Sequence, residues 1–183
     1  MERHLTDTEL AATLPEVRAT PAVTGTLVAI VVRPDKERRE LPASGELTQE
    51  AGLVGDRWLR YVTRRLPDGR VNPDTQLTLM NTRFLAPLAG DRDRWPLAGD
   101  NLLVDFDLSE ANLPAGQRVR IGEAIVEISA EPHTGCAKFA QRFGPDALKF
   151  VNSPAGRALR LRGLNAQVVQ AGRVRVGDRM EKV

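Results

Sequence analysis

The sequence is poor in the residue types that usually announce chemistry. Its 183 residues include one cysteine, Cys136, and two histidines, His4 and His133. A single cysteine excludes an intramolecular disulfide. With no Cys-x-x-Cys and the histidines far apart, a structural zinc site is also set aside. Aromatic residues make up 4% of the chain, too few to interleave with cations as a stacking surface for nucleic acid. The longest apolar run covers residues 27–32, far short of the ~20 residues a membrane helix needs. The opening residues, Met-Glu-Arg-His-Leu-Thr-Asp-Thr-Glu, lack the apolar stretch of a secretory signal. Neither Gly-x-Gly-x-x-Gly nor a P-loop occurs, so a nucleotide fold is not supported. Lysine appears only at positions 36, 138, 149 and 182, which makes 22 of the 26 basic residues arginine, interleaved with 24 acidic ones. The expectation is a soluble cytoplasmic protein with no nucleic-acid or membrane partner.

What is present suits a folded domain. Hydrophobic residues at 42% and charged residues at 27% are ordinary proportions, and the length allows a proper core. Residues 1–22 read as an N-terminal helical extension: Thr6 or Asp7 can cap a helix over 5–14, and Pro15 and Pro21 frame a linker. The main domain is expected over 23–183. Its strands are predicted at 23–33, 46–49, 76–80, 100–105, 166–170, 173–176 and 180–183, with a hairpin at 118–121 and 124–128 around Gly122-Glu123. Helices are predicted at 82–88, 145–151 and 154–161, and residues 90–99 read as a loop. Short strands joined by tight turns give a mostly β fold, a β-barrel with a few short helices.

The chemistry gathers around residues 125–143. A strand stops at Pro132 and a short helix follows, with Phe139 and Phe143 on one face and Gly144-Pro145 at its end. Cys136 falls at the junction. If Thr134 caps that helix, Cys136 is its second residue, where free N–H groups and the helix dipole favour a thiolate, with His133 and Lys138 close by in sequence. The alternative for a lone cysteine is a small buried hydrophobe. A second feature is the loop at 51–57, where Gly52 and Gly55 allow backbone amides to face an anion and Asp56-Arg57 follow; a plain turn is the other reading.

Several segments, in order, resemble a MOSC domain, the domain found at the C-terminus of molybdenum-cofactor sulfurases and as a small stand-alone bacterial protein. They are the Gly25-Thr-Leu strand, Gly52-Leu-Val-Gly-Asp-Arg57, Gln76-Leu-Thr-Leu-Met80, Ala98-Gly-Asp-Asn-Leu-Leu-Val104 and Val119-Arg-Ile-Gly122. Cys136-Ala-Lys138, Arg162-Gly163 with Ala166-Gln-Val168, and Gly177-Asp178 complete the set. The resemblance spans nearly the whole main domain. Three positions depart from the family pattern: Gly135 stands where Pro is common, Asp100 where Glu is usual, and Trp58 where many members have His.

The resemblance implies a twisted β-barrel and a pterin-based molybdenum cofactor (molybdopterin). It makes Cys136 the catalytic sulfur, either a sulfur carrier or the molybdenum ligand, since a thiolate is the soft ligand such a metal prefers. Lys138 and Arg162 would contact anionic groups, Asn101 the pterin, and Asp56 and Arg57 would shape the loop, with His133 and Thr134 beside the sulfur. Two classes of function follow from it: an enzyme, either an oxidoreductase acting on N-hydroxylated compounds as its small-molecule substrate with an electron-donating reductase as partner or a cofactor sulfurtransferase, or a non-catalytic carrier of sulfur or cofactor. Pyridoxal phosphate, which the family meets through a cysteine desulfurase, would sit on that partner.

Overall fold

A computed structural model describes residues 3–61 and 65–183. Arg64, which opens the polar stretch before the Pro67-Asp68-Gly69 turn, lies outside the described residues, as do Met1 and Glu2. Thr6 caps the first helix, α1 (Asp7–Ala11), through a reciprocal capping box with Glu9. The single helix expected over 5–14 is instead two. Leu14 begins α2 (Leu14–Arg18), and Pro15 sits in its first turn, where a missing N–H costs nothing, rather than in a linker.

Seven strands close a barrel. They are β1 (Thr24–Ile30), β4 (Leu77–Asn81), β5 (Leu102–Asp105), β6 (Arg118–Ile121), β7 (Ala124–Ile128), β8 (Leu164–Gln170) and β10 (Arg179–Lys182), in the spatial order β1-β10-β6-β7-β8-β4-β5. The mostly β barrel with short helices is therefore the observed fold. One detail differs: β9 (Gly172–Arg175) leaves the barrel. It joins β2 (Ser44–Thr48) and β3 (Gly52–Leu53) in a separate three-stranded sheet, so only the first of the two strands expected over 166–176 enters the barrel. The single residue Ala171 separates β8 from β9, where the sequence predicts a turn over Ala171-Gly172.

The β4–β5 pair is parallel, and the link between them is a crossover. It consists of α4 (Thr82–Ala89), capped by Asn81, and a 3₁₀ segment, Arg92–Ala98, where the sequence suggested only a loop. Asp91 caps that segment by accepting from the Asp93 N–H. β4 is buried on both faces. Leu77 and Leu79 fill the barrel interior, while Met80 faces an outer apolar layer with Phe84, Leu85, Leu10 and Val17. In that layer α1 lies against α6 (Pro145–Val151), and α2 lies against α4. Among the described residues no helix is long and apolar enough to cross a membrane.

Candidate functional site

The segment that follows β7 is held extended by local polar contacts. Asn165 Nδ2 donates to the Glu131 carbonyl at 3.1 Å, and the Gly135 N–H donates to Asn152 Oδ1 at 3.1 Å. A side chain at Gly135 would meet Leu148 Cδ1 at 2.7 Å and Val151 Cγ2 at 3.0 Å, so glycine is required for the segment to lie this close to α6. The helix α5 (Ala137–Phe143) then begins two residues later than the sequence suggested. Cys136 is its N-cap, with φ −128° and ψ 176°, and Thr134 lies in the extended run before it. Phe139 and Phe143 anchor the helix in the outer apolar layer, leaving Cys136 exposed.

Cys136 lines a cleft of about 380 Å³ together with Pro132, His133 and Thr134. Arg33, Arg57, Trp58 and Tyr61 form the facing part, and Thr75, Thr78 and Asn165 complete the lining. Beneath it lies a buried polar frame. Asp56, only 1% exposed, takes a two-pronged contact from Arg33 (Nε to Oδ2 2.8 Å, Nη2 to Oδ1 2.9 Å) and a third bond from the Arg33 backbone N–H at 2.9 Å. Asn101 Nδ2 donates to Asp56 Oδ2 at 3.0 Å, while its Oδ1 accepts from Arg33 Nη2 at 3.1 Å and from the Thr78 N–H at 3.2 Å. Asp56 Oδ1 also accepts from the Trp58 N–H, and the Trp58 indole donates to Thr75 Oγ1 at 3.2 Å. The loop at 51–57 is thus partly strand β3 and partly the hinge that presents Arg57 and Trp58 to the cleft.

A second buried frame backs His133. Asp100 is fully buried; its Oδ1 lies 2.9 Å from His133 Nε2, and its Oδ2 accepts from Arg162 Nη1 at 2.7 Å. Arg162 Nη2 donates to the Ala98 carbonyl, and its guanidinium stacks 5.0 Å from the Phe139 ring centre. Burial alone would raise the Asp100 carboxyl, but the Arg162 and His133 charges and hydrogen bonds outweigh it and hold it below the usual carboxylate range. Burial, then the Arg162 charge, push His133 below an ordinary histidine despite Asp100, so at neutral pH its imidazole is uncharged. The half-buried Arg39 guanidinium is pulled below its usual range first by burial and then by Arg142, Arg57 and Arg33, the mark of crowded positive charge beside the cleft.

The structure brings Cys136, His133, Thr134 and Arg57 to one cleft and places Asp56 and Asn101 in the frame supporting it. It does not bring Lys138 or Arg162 into that cleft. Lys138 lines a separate groove with Arg142 and Glu37, and Arg162 lines a cavity on the far side of the 132–134 segment. Sequence reasoning missed Arg33, Thr75, Thr78 and Asn165 as cleft residues, and Asp100 as the link between His133 and Arg162. Arg33, the last residue before Pro34 after the strongest strand, carried a usable signal of position; the others carried none.

No curated protein sequence matches the chain. Among solved structures, the YUAD protein from Bacillus subtilis superposes with a TM-score of 0.61 at 16% identity, covering 87% of this chain and 95% of its own. YiiM from Geobacillus stearothermophilus gives 0.59 at 18% identity over 87% and 75%. YiiM from Escherichia coli gives 0.56 at 22% identity over 86% and 69%. At these identities the likeness establishes a shared fold. The sequence profile of the MOSC domain matches residues 70–181, a stretch that runs from the turn before β4 through the cysteine segment into β10. A match over more than half the chain, on this barrel, means that the chain belongs to the MOSC domain family.

Proposed function

We propose that the protein binds the molybdenum cofactor in the Cys136 cleft, with Cys136 as the protein's sulfur ligand to the metal. The observation that carries this reading is an exposed thiol lining a polar cleft of about 380 Å³ that also takes Arg57 and Arg33. The donor set fits such a group. Among the described residues no cluster of three or more His, Cys, Asp or Glu could hold a bare ion. A metal that arrives on its own dithiolene needs only one further soft ligand, which a thiolate provides. The pterin phosphate suits Arg57, with Arg39 and Arg142 adding to the local positive field.

When bound, the cofactor supplies oxygen-atom and electron chemistry at the metal, directed at small N-hydroxylated substrates. The chain's own residues bind and orient. The Arg33–Asp56–Asn101 frame fixes the cleft wall, and Thr75, Thr78 and Asn165 offer neutral hydrogen-bonding groups to ring edges. His133, uncharged and tied to Asp100, adds no cation beside the sulfur. Electrons come from a partner reductase. Pyridoxal phosphate, where the family meets it, sits on a partner desulfurase.

Metal and pterin content, measured on protein from a cofactor-competent host, tests this. Stoichiometric molybdenum that falls by at least about tenfold in Cys136→Ser supports it. Full-length, folded protein with no molybdenum and no pterin defeats it. The exposure of Cys136 favours one second reading, a sulfur carrier. There the thiolate attacks the terminal sulfur of a desulfurase persulfide, taking that sulfur as a new S–S bond while the desulfurase cysteine leaves as its thiolate. Persulfide on Cys136 without metal would select it.

A further inference from the structure

The polar groups on the inner wall of the cysteine cleft share one sense. Thr78 and Asn165 stand opposite each other on β4 and β8, so their side chains lie on one face, the face that lines the cleft. Asn165 is 5% exposed. Its Nδ2 donates to the Glu131 carbonyl, which fixes the amide and leaves Oδ1 over. Among the described residues that oxygen has no partner, and unlike Ser129 Oγ it is not sealed from solvent. His133 gives the same result. Its Nε2 faces the ionised Asp100 carboxylate and so carries the ring proton, leaving Nδ1 a lone pair without a partner among the described residues. Thr75 and Thr78 spend their hydroxyl protons on the Asn72 carbonyl and Asn101 Oδ1, so toward a ligand they can only accept.

Four acceptors on one wall select a ligand edge made of N–H groups. The facing side is cationic: among the described residues the Arg57 guanidinium makes no hydrogen bond or ion pair and touches only the Tyr61 ring, at 5.6 Å. We propose that Asn165 and His133 select the ring of the cofactor: Asn165 Oδ1 and His133 Nδ1 accept from the adjacent N–H and amino groups of a 2-amino-4-oxopyrimidine edge, the outer edge of a pterin. This rests on the cofactor reading of the cleft and adds to it the ring chemistry and its contacts. His133 stands three residues before Cys136, at most about 10 Å along the chain. A ring system held through the sulfur at one end is therefore within reach of the histidine at the other. A ring with a carbonyl in place of the amino group sets oxygen against these acceptors and leaves them unpaired.

The test compares pterin-6-carboxylate with lumazine-6-carboxylate, which carries a carbonyl where pterin carries the 2-amino group. Binding of each to the full chain, taken from a host that makes no cofactor, is followed by ligand fluorescence at neutral pH. The expected result is saturable binding of the pterin, with the lumazine weaker by at least about tenfold. His133→Gln keeps a donor for Asp100 but loses the acceptor at Nδ1, and Asn165→Ala loses Oδ1. Each should narrow the gap to less than about threefold. A general loss of stability weakens both ligands alike and leaves their ratio unmoved. Absence of saturable pterin binding, or equal affinity for the two rings, overturns the proposal. A gap that survives in both variants overturns the assigned contacts. A chain that loads molybdenum yet binds both rings equally loses only this proposal, whereas one without molybdenum that still prefers the pterin loses the metal assignment alone.

Discussion

His133 Nε2 lies 2.9 Å from Asp100 Oδ1, joining a strand-end loop to a buried carboxylate whose other oxygen is held by Arg162. The histidine is held neutral because burial and Arg162 disfavour its charged form more than Asp100 favours it. The unfolded chain, with an ordinary value near 6.5, therefore takes up this proton first as pH falls. Stability from His133 is fully present above about 6.5 and is lost progressively below it, until the folded protein protonates as well. Asp100, also lowered, adds a loss of the same sign below its ordinary 3.8. Urea unfolding between pH 8 and 4 should show a falling midpoint, and His133→Gln should flatten the upper part of that fall.

Asp56 is the hub of the cleft frame, and removing it leaves the Arg33 guanidinium facing an empty space beside Asn101. Asp56→Ala should lower stability by about 3–5 kcal/mol, the usual cost of stranding one member of a buried pair. Denaturant melts measure the loss. A change below about 1 kcal/mol would show that solvent reaches Arg33 more freely than its 15% exposure implies.

Two glycines with similar backbones make a controlled comparison. Gly163 has φ +99°, and a Cβ there would meet the Leu79 carbonyl oxygen at 2.2 Å; Gly177 has φ +95° and open space around it. Gly177→Ala should cost about 1–2 kcal/mol, the strain of a left-handed backbone alone. Gly163→Ala should cost at least twice as much, because β4 must shift as well. Thermal melts of the two variants check the ratio.

Cys136 is exposed and caps its helix without a side-chain hydrogen bond. Cys136→Ser should therefore change stability by no more than about 0.5 kcal/mol while removing iodoacetamide labelling and cofactor content together. A large stability loss would return the residue to a packing role.

Much of this was legible in the sequence, for reasons that differ by residue. The Thr6 helix cap, the hairpin around Gly122-Glu123 and the proline-led helix at 145–151 are local signals, and the structure contains each. The pairing of Arg33 with Asp56 and of Asp100 with Arg162 joins residues 23 and 62 positions apart, and residue type alone names no partner at that range. Lys138 shows the limit of reading proximity from sequence. Residues two apart at a helix start do not share a face, so the charge beside Cys136 in the chain faces another groove in the fold. β9 has strand composition, but the strand it pairs with, β2, lies far back in the chain, and nothing local names that partner.

The seam between β1 and β10 has a consequence for how the protein is made. Thr24 pairs with Glu181, and Arg179 reaches Thr24 across 155 positions, so the barrel is sealed by its earliest and latest strands. A ribosome adding ~5–20 residues each second needs roughly 8–30 s between them. Throughout that interval one edge of β1 stands open, and once residues 118–121 are made one edge of β6 does too, each a template for a neighbouring nascent chain. The cysteine segment is complete long before the seam can shut. Crowded polysomes, rather than the finished protein, are where this barrel is most exposed to mispairing, and slowing translation just before residues 179–182 would lengthen that exposure.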